Sequence, residues 1–117
     1  MKTRLTQFAV LVASLIPLTG YAQTTKDLVR RAVEDAANGI CSNVLSPMVK
    51  VACQQQMPNF KERIAALGPI LSIEYQGDEI TPQGAAEVYL VKHQKKAMAW
   101  MAIADNNGKL RVFWTPG

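Results

Sequence analysis

The chain is poor in the side chains that most site chemistry requires. Its 117 residues contain one histidine, His93, and two cysteines, Cys41 and Cys53. Zinc takes three or four ligands of this kind, so no metal centre is expected. Gly-x-Ser-x-Gly, His-Glu-x-x-His, phosphate-cradling glycine loops and EF-hand patterns are all missing, and with them the chemistries those spacings serve. No cofactor is expected either. There is no internal repeat and no low-complexity run. Beyond residue 22 no segment approaches the length of a membrane-crossing helix.

The first 23 residues, MKTRLTQFAVLVASLIPLTGYAQ, are of a different character. Lys2 and Arg4 form a short positive start, and Phe8 to Leu18 is almost wholly apolar. Gly20 and Ala22 supply small residues at positions −3 and −1 of a cleavage site. This is the layout of a secretory signal peptide over residues 1–22, cut between Ala22 and Gln23. Tyr21 stands where a lipoprotein signal would need cysteine. The expected mature product, residues 23–117, is a single soluble domain of the bacterial periplasm or exterior. Without Lys2 and Arg4 the formal net charge falls from +4 to +2, because all nine acidic residues lie beyond residue 22. A charge this close to balance argues against a nucleic-acid partner.

Export decides the reading of the cysteines. In an oxidising compartment a thiol pair becomes a disulfide. Eleven intervening residues do not fit a Cys-x-x-Cys redox motif, and a catalytic cysteine would need a histidine partner and a reduced thiol. Cys41–Cys53 is therefore expected as a structural bond. Thr24 and Asp27 form a capping pair ahead of Leu28, Ala32, Val33, Ala36 and Ile40 at helical spacing, with Asn38-Gly39 as the stop. Ser46-Pro47 opens a second helix that Pro58 is expected to end. Asn59 and Glu62 cap a short third helix, with Gly68-Pro69 as its stop. The bond then staples two helices too short to be stable alone.

After Pro69 the period changes to two. Leu71, Ile73 and Tyr75 alternate with polar residues, and 77–84 reads as a loop. Further strands are expected at 85–92, 97–104 and 110–114, with Asn107-Gly108 as a hairpin signal. The expected fold class is α+β: two to three N-terminal helices packed on a four-stranded antiparallel meander, with one disulfide. A tight turn at Gln94-Lys95 pairs Val91 with Met98, Tyr89 with Trp100 and Glu87 with Ala102. The aliphatic set Val88, Leu90, Ala99, Met101 and Ile103 is expected to meet the helices. That leaves Tyr89, Val91, Met98 and Trp100 on a face that should be polar if uncovered. A two-residue loop before the last strand would add Phe113 to that aromatic face; a three-residue loop would add Val112 and Trp114 instead. Four covers are possible for the face: a second copy, a partner protein, a small apolar ligand, or the domain's own core through sheet curvature.

The stretch LGPILSIEYQGDEITPQGAAEVYLVKHQKKAMAWMAIADNNGKLRVFWTPG resembles the C-terminal half of small exported nuclear transport factor 2-like (cystatin-like) domains. The likeness lies in LGPILSIEY opening a strand, AEVYLV, MAWMAIA, the turn DNNGK and an aromatic ending. It implies a curved sheet wrapped around helices with a cone-shaped pocket, often in a dimer. Members of that family act as isomerases, dehydratases, ligand binders or accessory modules, so the fold alone implies no function.

The candidate binding residues are Tyr75, Tyr89, Met98 and Trp100. Lys92, Lys95 and Lys96 make one end of the sheet basic, either as a solvated tip or as a contact for an acidic partner. His93, in KHQKK, reads as a solvated turn residue. Glu87 is the one carboxylate on the aromatic face and the only candidate general base there. The leading expectation is a non-enzymatic module that binds another envelope protein or itself. The alternative is a binder of a small apolar ligand in a pocket lined by Phe60, Tyr75 and Trp100. A lyase or isomerase using Glu87 comes third.

Overall fold

A computed structural model describes residues 24–116; the expected signal peptide and its cleavage site lie outside the described residues. Two helices, α1 (Thr25–Ala37) and α2 (Pro47–Ala65), precede four strands: β1 (Ile70–Thr81), β2 (Gly84–His93), β3 (Ala97–Ala104) and β4 (Leu110–Trp114). The strands form one antiparallel sheet in the order β1-β2-β3-β4. The class is α+β, with both helices on one side of the sheet. Among the described residues, no helix is long and apolar enough to cross a membrane.

α1 starts where its capping residues place it. Thr24 Oγ1 accepts from the Asp27 amide at 3.1 Å, and Asp27 Oδ2 accepts from the Thr24 amide at 3.3 Å. This reciprocal pair satisfies two otherwise orphaned donors. The helix ends before Gly39, whose φ of +81° suits glycine. Ile40 lies past that end and is exposed.

α2 corrects the expected pair of short helices. It runs unbroken through Pro58 for 19 residues, and Asn59 and Glu62 lie inside it. A proline in a helix interior costs about 3 kcal/mol. Against that cost stands one continuous stripe: Val49, Cys53, Met57, Phe60 and Ile64 all pack on the core. Their spacing of three and four residues keeps one phase on both sides of Pro58. A second helix starting afresh at Asn59 would have no reason to keep that phase. Ile64 is wholly buried, and such a side chain contributes on the order of 1.5–3 kcal/mol.

Cys41, just past α1, is bonded to Cys53 inside α2, with Cα atoms 5.9 Å apart. This fits the span a disulfide bridges without moving the backbone.

β1 is longer than expected. The segment read as a loop over 77–84 is mostly ladder, from Gly77↔Val88 to Thr81↔Gly84, and only Pro82 and Gln83 turn. Gln76 is the extra residue of a bulge between Tyr75 and Gly77, and the adjacent Gly77 takes φ +123°. The β2–β3 register is as expected, with Val91↔Met98, Tyr89↔Trp100 and Glu87↔Ala102. At β4 the turn spans Asn106-Asn107-Gly108 and is closed by the Asp105 amide on the Lys109 carbonyl at 2.8 Å. A three-residue loop alone would turn Val112 and Trp114 toward the aromatic face. Arg111 is bulged out between the pairs Ala104↔Leu110 and Ile103↔Val112, so the register slips back and Phe113 pairs with Ala102.

The helices cover the aromatic face, not the aliphatic one. Ile73, Tyr89, Val91, Met98, Trp100, Ala102 and Leu110 join Leu28, Val29, Ala32, Val33 and Ala36 of α1 in one core. Both sheet faces are apolar, so alternation does not choose between them. Volume does: α1 offers a face rich in alanine and valine, and the large rings fill the space this leaves. Trp100 is 1% exposed. It stacks on Phe113 with centroids 4.3 Å apart, and Phe60 lies tilted 6.1 Å away.

Candidate functional site

The face left uncovered by the helices carries Val88, Leu90, Ala99, Ile103 and Val112, all half-buried. Met101 belongs to this face too. Its burial comes from the β1–β2 hairpin tip, because Met101 lies outside the helix-facing core. A hollow of about 310 Å³ opens there, lined by Ile80, Pro82, Gln83, Met101, Val112 and Trp114. Arg111 Nη2 donates to the Gln83 carbonyl at 3.1 Å and ties the tip to β4. Ile80 is 81% and Trp114 56% exposed. Water should favour polar residues on such a face. A contiguous apolar one marks a place of interaction.

Of the four candidate binding residues, Tyr89, Met98 and Trp100 are buried under the helices, and Tyr75 alone remains 55% exposed. Tyr75 does not join Phe60 and Trp100 around a shared pocket. It pairs with Tyr89, ring centroids 5.6 Å apart. The space between helices and sheet near Phe60 is a cavity of about 170 Å³, lined by Ala32, Cys53, Phe60 and Phe113 among others, smaller than the usual ligand site. A further hollow of about 590 Å³ beside His93 has a mixed wall, with Arg31, Glu34 and Asp35 facing Val33, Ile64 and Ile70.

Tyr75 and Tyr89 stand beside a second cross-strand pair, Asp78↔Glu87. Like charges directly opposite each other repel. Each has a phenol to share its charge: Tyr75 donates to Asp78 Oδ1 at 2.5 Å, and Tyr89 donates to Glu87 Oε1. The Asp78 hydrogen bond is the main cause that raises the Tyr75 pKa, and burial followed by the Glu87 hydrogen bond raises that of Tyr89 further. Both phenols stay protonated donors at neutral pH. The cluster thus holds two carboxylates and two rings at one edge of the sheet, an arrangement suited to receiving positive charge.

A pH dependence follows from Tyr89. The unfolded phenol ionises near 10.0 and the folded one higher. Between these values the unfolded state has lost a proton that the native state keeps, so stability falls as pH rises. Its contribution is fully present below pH 10 and is lost above it. Tyr89→Phe is expected to cost about 1 kcal/mol at neutral pH, the worth of one hydrogen bond, and to flatten the alkaline limb. Urea midpoints of both proteins between pH 8 and 11.5 check this; parallel limbs would contradict it.

His93 is not a solvated turn residue. It is 5% exposed, and its Nδ1 lies 2.9 Å from the Gly68 carbonyl. A carbonyl only accepts, so Nδ1 carries the proton. Among the described residues, buried Nε2 has no hydrogen-bond partner, and neither has Trp100 Nε1. The missed signal is plain alternation: Tyr89, Val91 and His93 are two apart, and the lysines around His93 mask the pattern. The basic tip is anchored at the same place. The Gln94 amide bonds the Pro69 carbonyl and the Lys95 amide the Leu67 carbonyl, both at 3.0 Å. Lys92 pairs with Glu74 at 3.0 Å, while Lys95 and Lys96 are exposed. No group of three or more His, Cys, Asp or Glu among the described residues could hold a metal ion. Comparison with family models, curated proteins and solved structures finds no match.

Proposed function

We propose that this is an exported, non-enzymatic module that binds another protein of the cell envelope through the uncovered face of its sheet. The observation that carries the reading is the contiguous apolar surface of Val88, Leu90, Ala99, Ile103 and Trp114 on the side away from both helices. The disulfide is compatible with export, and the signal-like N-terminus points to the periplasm or exterior. A protein is favoured over a small apolar ligand because Phe60, Trp100 and Phe113 themselves fill the place expected for the ligand, and the hollow beside His93 carries charged groups on its wall. A protein is favoured over a second copy because the exposed edge beside this face carries only acidic charge, which a copy would repeat.

Photo-crosslinking in the native envelope tests this. A photoreactive residue at Ile103 is expected to give one discrete adduct whose mass differs from that of a self-dimer. Leu90→Lys in the same chain should reduce that adduct at least tenfold, because an unpaired charge would enter an apolar contact. The same probe at Asn107, on the exposed turn, should give none. Adducts that are equal from Asn107, or that survive Leu90→Lys, would contradict the reading. An adduct of dimer mass would make the occupant a second copy.

A further inference from the structure

The two edges of the sheet differ. β4 is five residues long, bulged at Arg111, and covered at its start: the Leu110 amide bonds the Val44 carbonyl at 2.7 Å, and the Ser46 amide bonds the Leu110 carbonyl at 2.9 Å. β1 is also bulged, at Leu71 and Gln76, but it is twelve residues long and no strand or segment covers it among the described residues. Short, covered edges prevent pairing, whereas a long uncovered one is a template for it.

The open edge has a sign. β1 carries Glu74, Asp78 and Glu79 and no Lys or Arg, although residues 23–117 have a formal net charge of +2. Glu74 is neutralised by Lys92, but among the described residues Asp78 and Glu79 make no ion pair. Glu87 stands across from Asp78 and adds to the negative field. Exposed apolar groups stand beside the acids: Leu71, Tyr75 and Ile80. Beyond Glu87 the β1–β2 ribbon runs on without pairing to β3, which leaves its end accessible.

Resting on the reading of the chain as a protein-binding module, we infer that β1 accepts an extended, basic segment of the partner as a fifth strand. Lys or Arg on one face of that segment would meet Glu79 and reach Asp78 beside it, and apolar residues on its other face would meet Tyr75 and Ile80. Main-chain hydrogen bonds would supply register-independent affinity, and the side chains would supply the choice of partner. A second copy is the wrong occupant. An antiparallel β1–β1 pair centred on the exposed acids would set Asp78 of each copy against Glu79 of the other, and like charges across strands repel.

The test titrates the oxidised protein, residues 23–117, with three capped synthetic decapeptides: alternating lysine–valine, alternating glutamate–valine and alternating lysine–proline. Binding is followed by NMR, together with amide exchange along 72–81. The lysine–valine peptide is expected to bind and to slow exchange of β1 amides. The glutamate–valine peptide should not bind. The lysine–proline peptide has the same charge but no amide donors at its prolines, and should bind at least tenfold more weakly. Asp78→Lys/Glu79→Lys should weaken lysine–valine binding at least tenfold, and Asp78→Asn/Glu79→Gln by a smaller factor with the fold undisturbed. The inference is overturned if lysine–proline binds equally well, if both double variants bind as the parent does, or if no peptide binds at millimolar concentration. If the Ile103 adduct is present while these peptides fail, the edge inference alone falls. If both are missing, the module reading falls with it.

Discussion

Trp100→Ala is expected to destabilise the domain by about 3–5 kcal/mol, against a usual total of about 5–15 kcal/mol. The ring is 1% exposed and is held between Phe113, stacked at 4.3 Å, and Phe60, tilted at 6.1 Å. Ring pairs of this kind add about 0.5–1.5 kcal/mol each beyond the area they bury. β3 lies between β2 and β4, so backbone on both sides prevents the site from collapsing onto the space left behind. The indole N–H has no acceptor among the described residues, so removing it forfeits no hydrogen bond there. Trp100→Phe is therefore expected to lose only about 1–2 kcal/mol. Urea unfolding followed by far-ultraviolet circular dichroism measures both. Near-equal losses would mean that ring stacking is not what holds this layer.

Cys41→Ser/Cys53→Ser closes no loop in the unfolded chain. For a separation of 12 residues the entropy returned to the unfolded state corresponds to about 3 kcal/mol. In a domain of this size each kcal/mol moves the melting temperature by about 4–8 °C, so a fall of roughly 12–24 °C is expected. Reductant should bring the parent protein to the variant's melting temperature and leave the variant unmoved. A parent insensitive to reductant would show that packing of the 49–53–57–60–64 stripe, and not the covalent bond, holds α2 in place.

Much of the fold was legible because several local signals agreed. Thr24 with Asp27 marked a helix start, and the change from a three-to-four to a two-residue period marked the passage to strands. A tight turn at Gln94-Lys95 was enough to place Tyr89 opposite Trp100. The misreadings share one cause: a single strong residue was weighed above the pattern around it. Pro58 argued for a break, yet the apolar stripe kept its phase through it. Gly77 argued for a loop, yet a bulge absorbed it and the ladder went on. The lysines beside His93 argued for solvent, yet alternation placed it inward. Which sheet face meets the helices was not legible at all, because both are apolar. Only the small residues of α1 facing large rings decide it. The uncovered face and the open edge were hidden for the same reason, since each depends on where the helices lie and not on any motif.

The unequal edges also limit how far the molecule can propagate. A sheet with two open edges is divalent, and copies can add to it without end, which is how fibrils grow. Here the 44–46 segment covers the start of β4, and the Arg111 bulge distorts the strand just beyond it. The sheet is left with a valence of one. A copy that paired through β1 would offer only its own covered β4 on the far side, so edge pairing of this chain with itself stops at two.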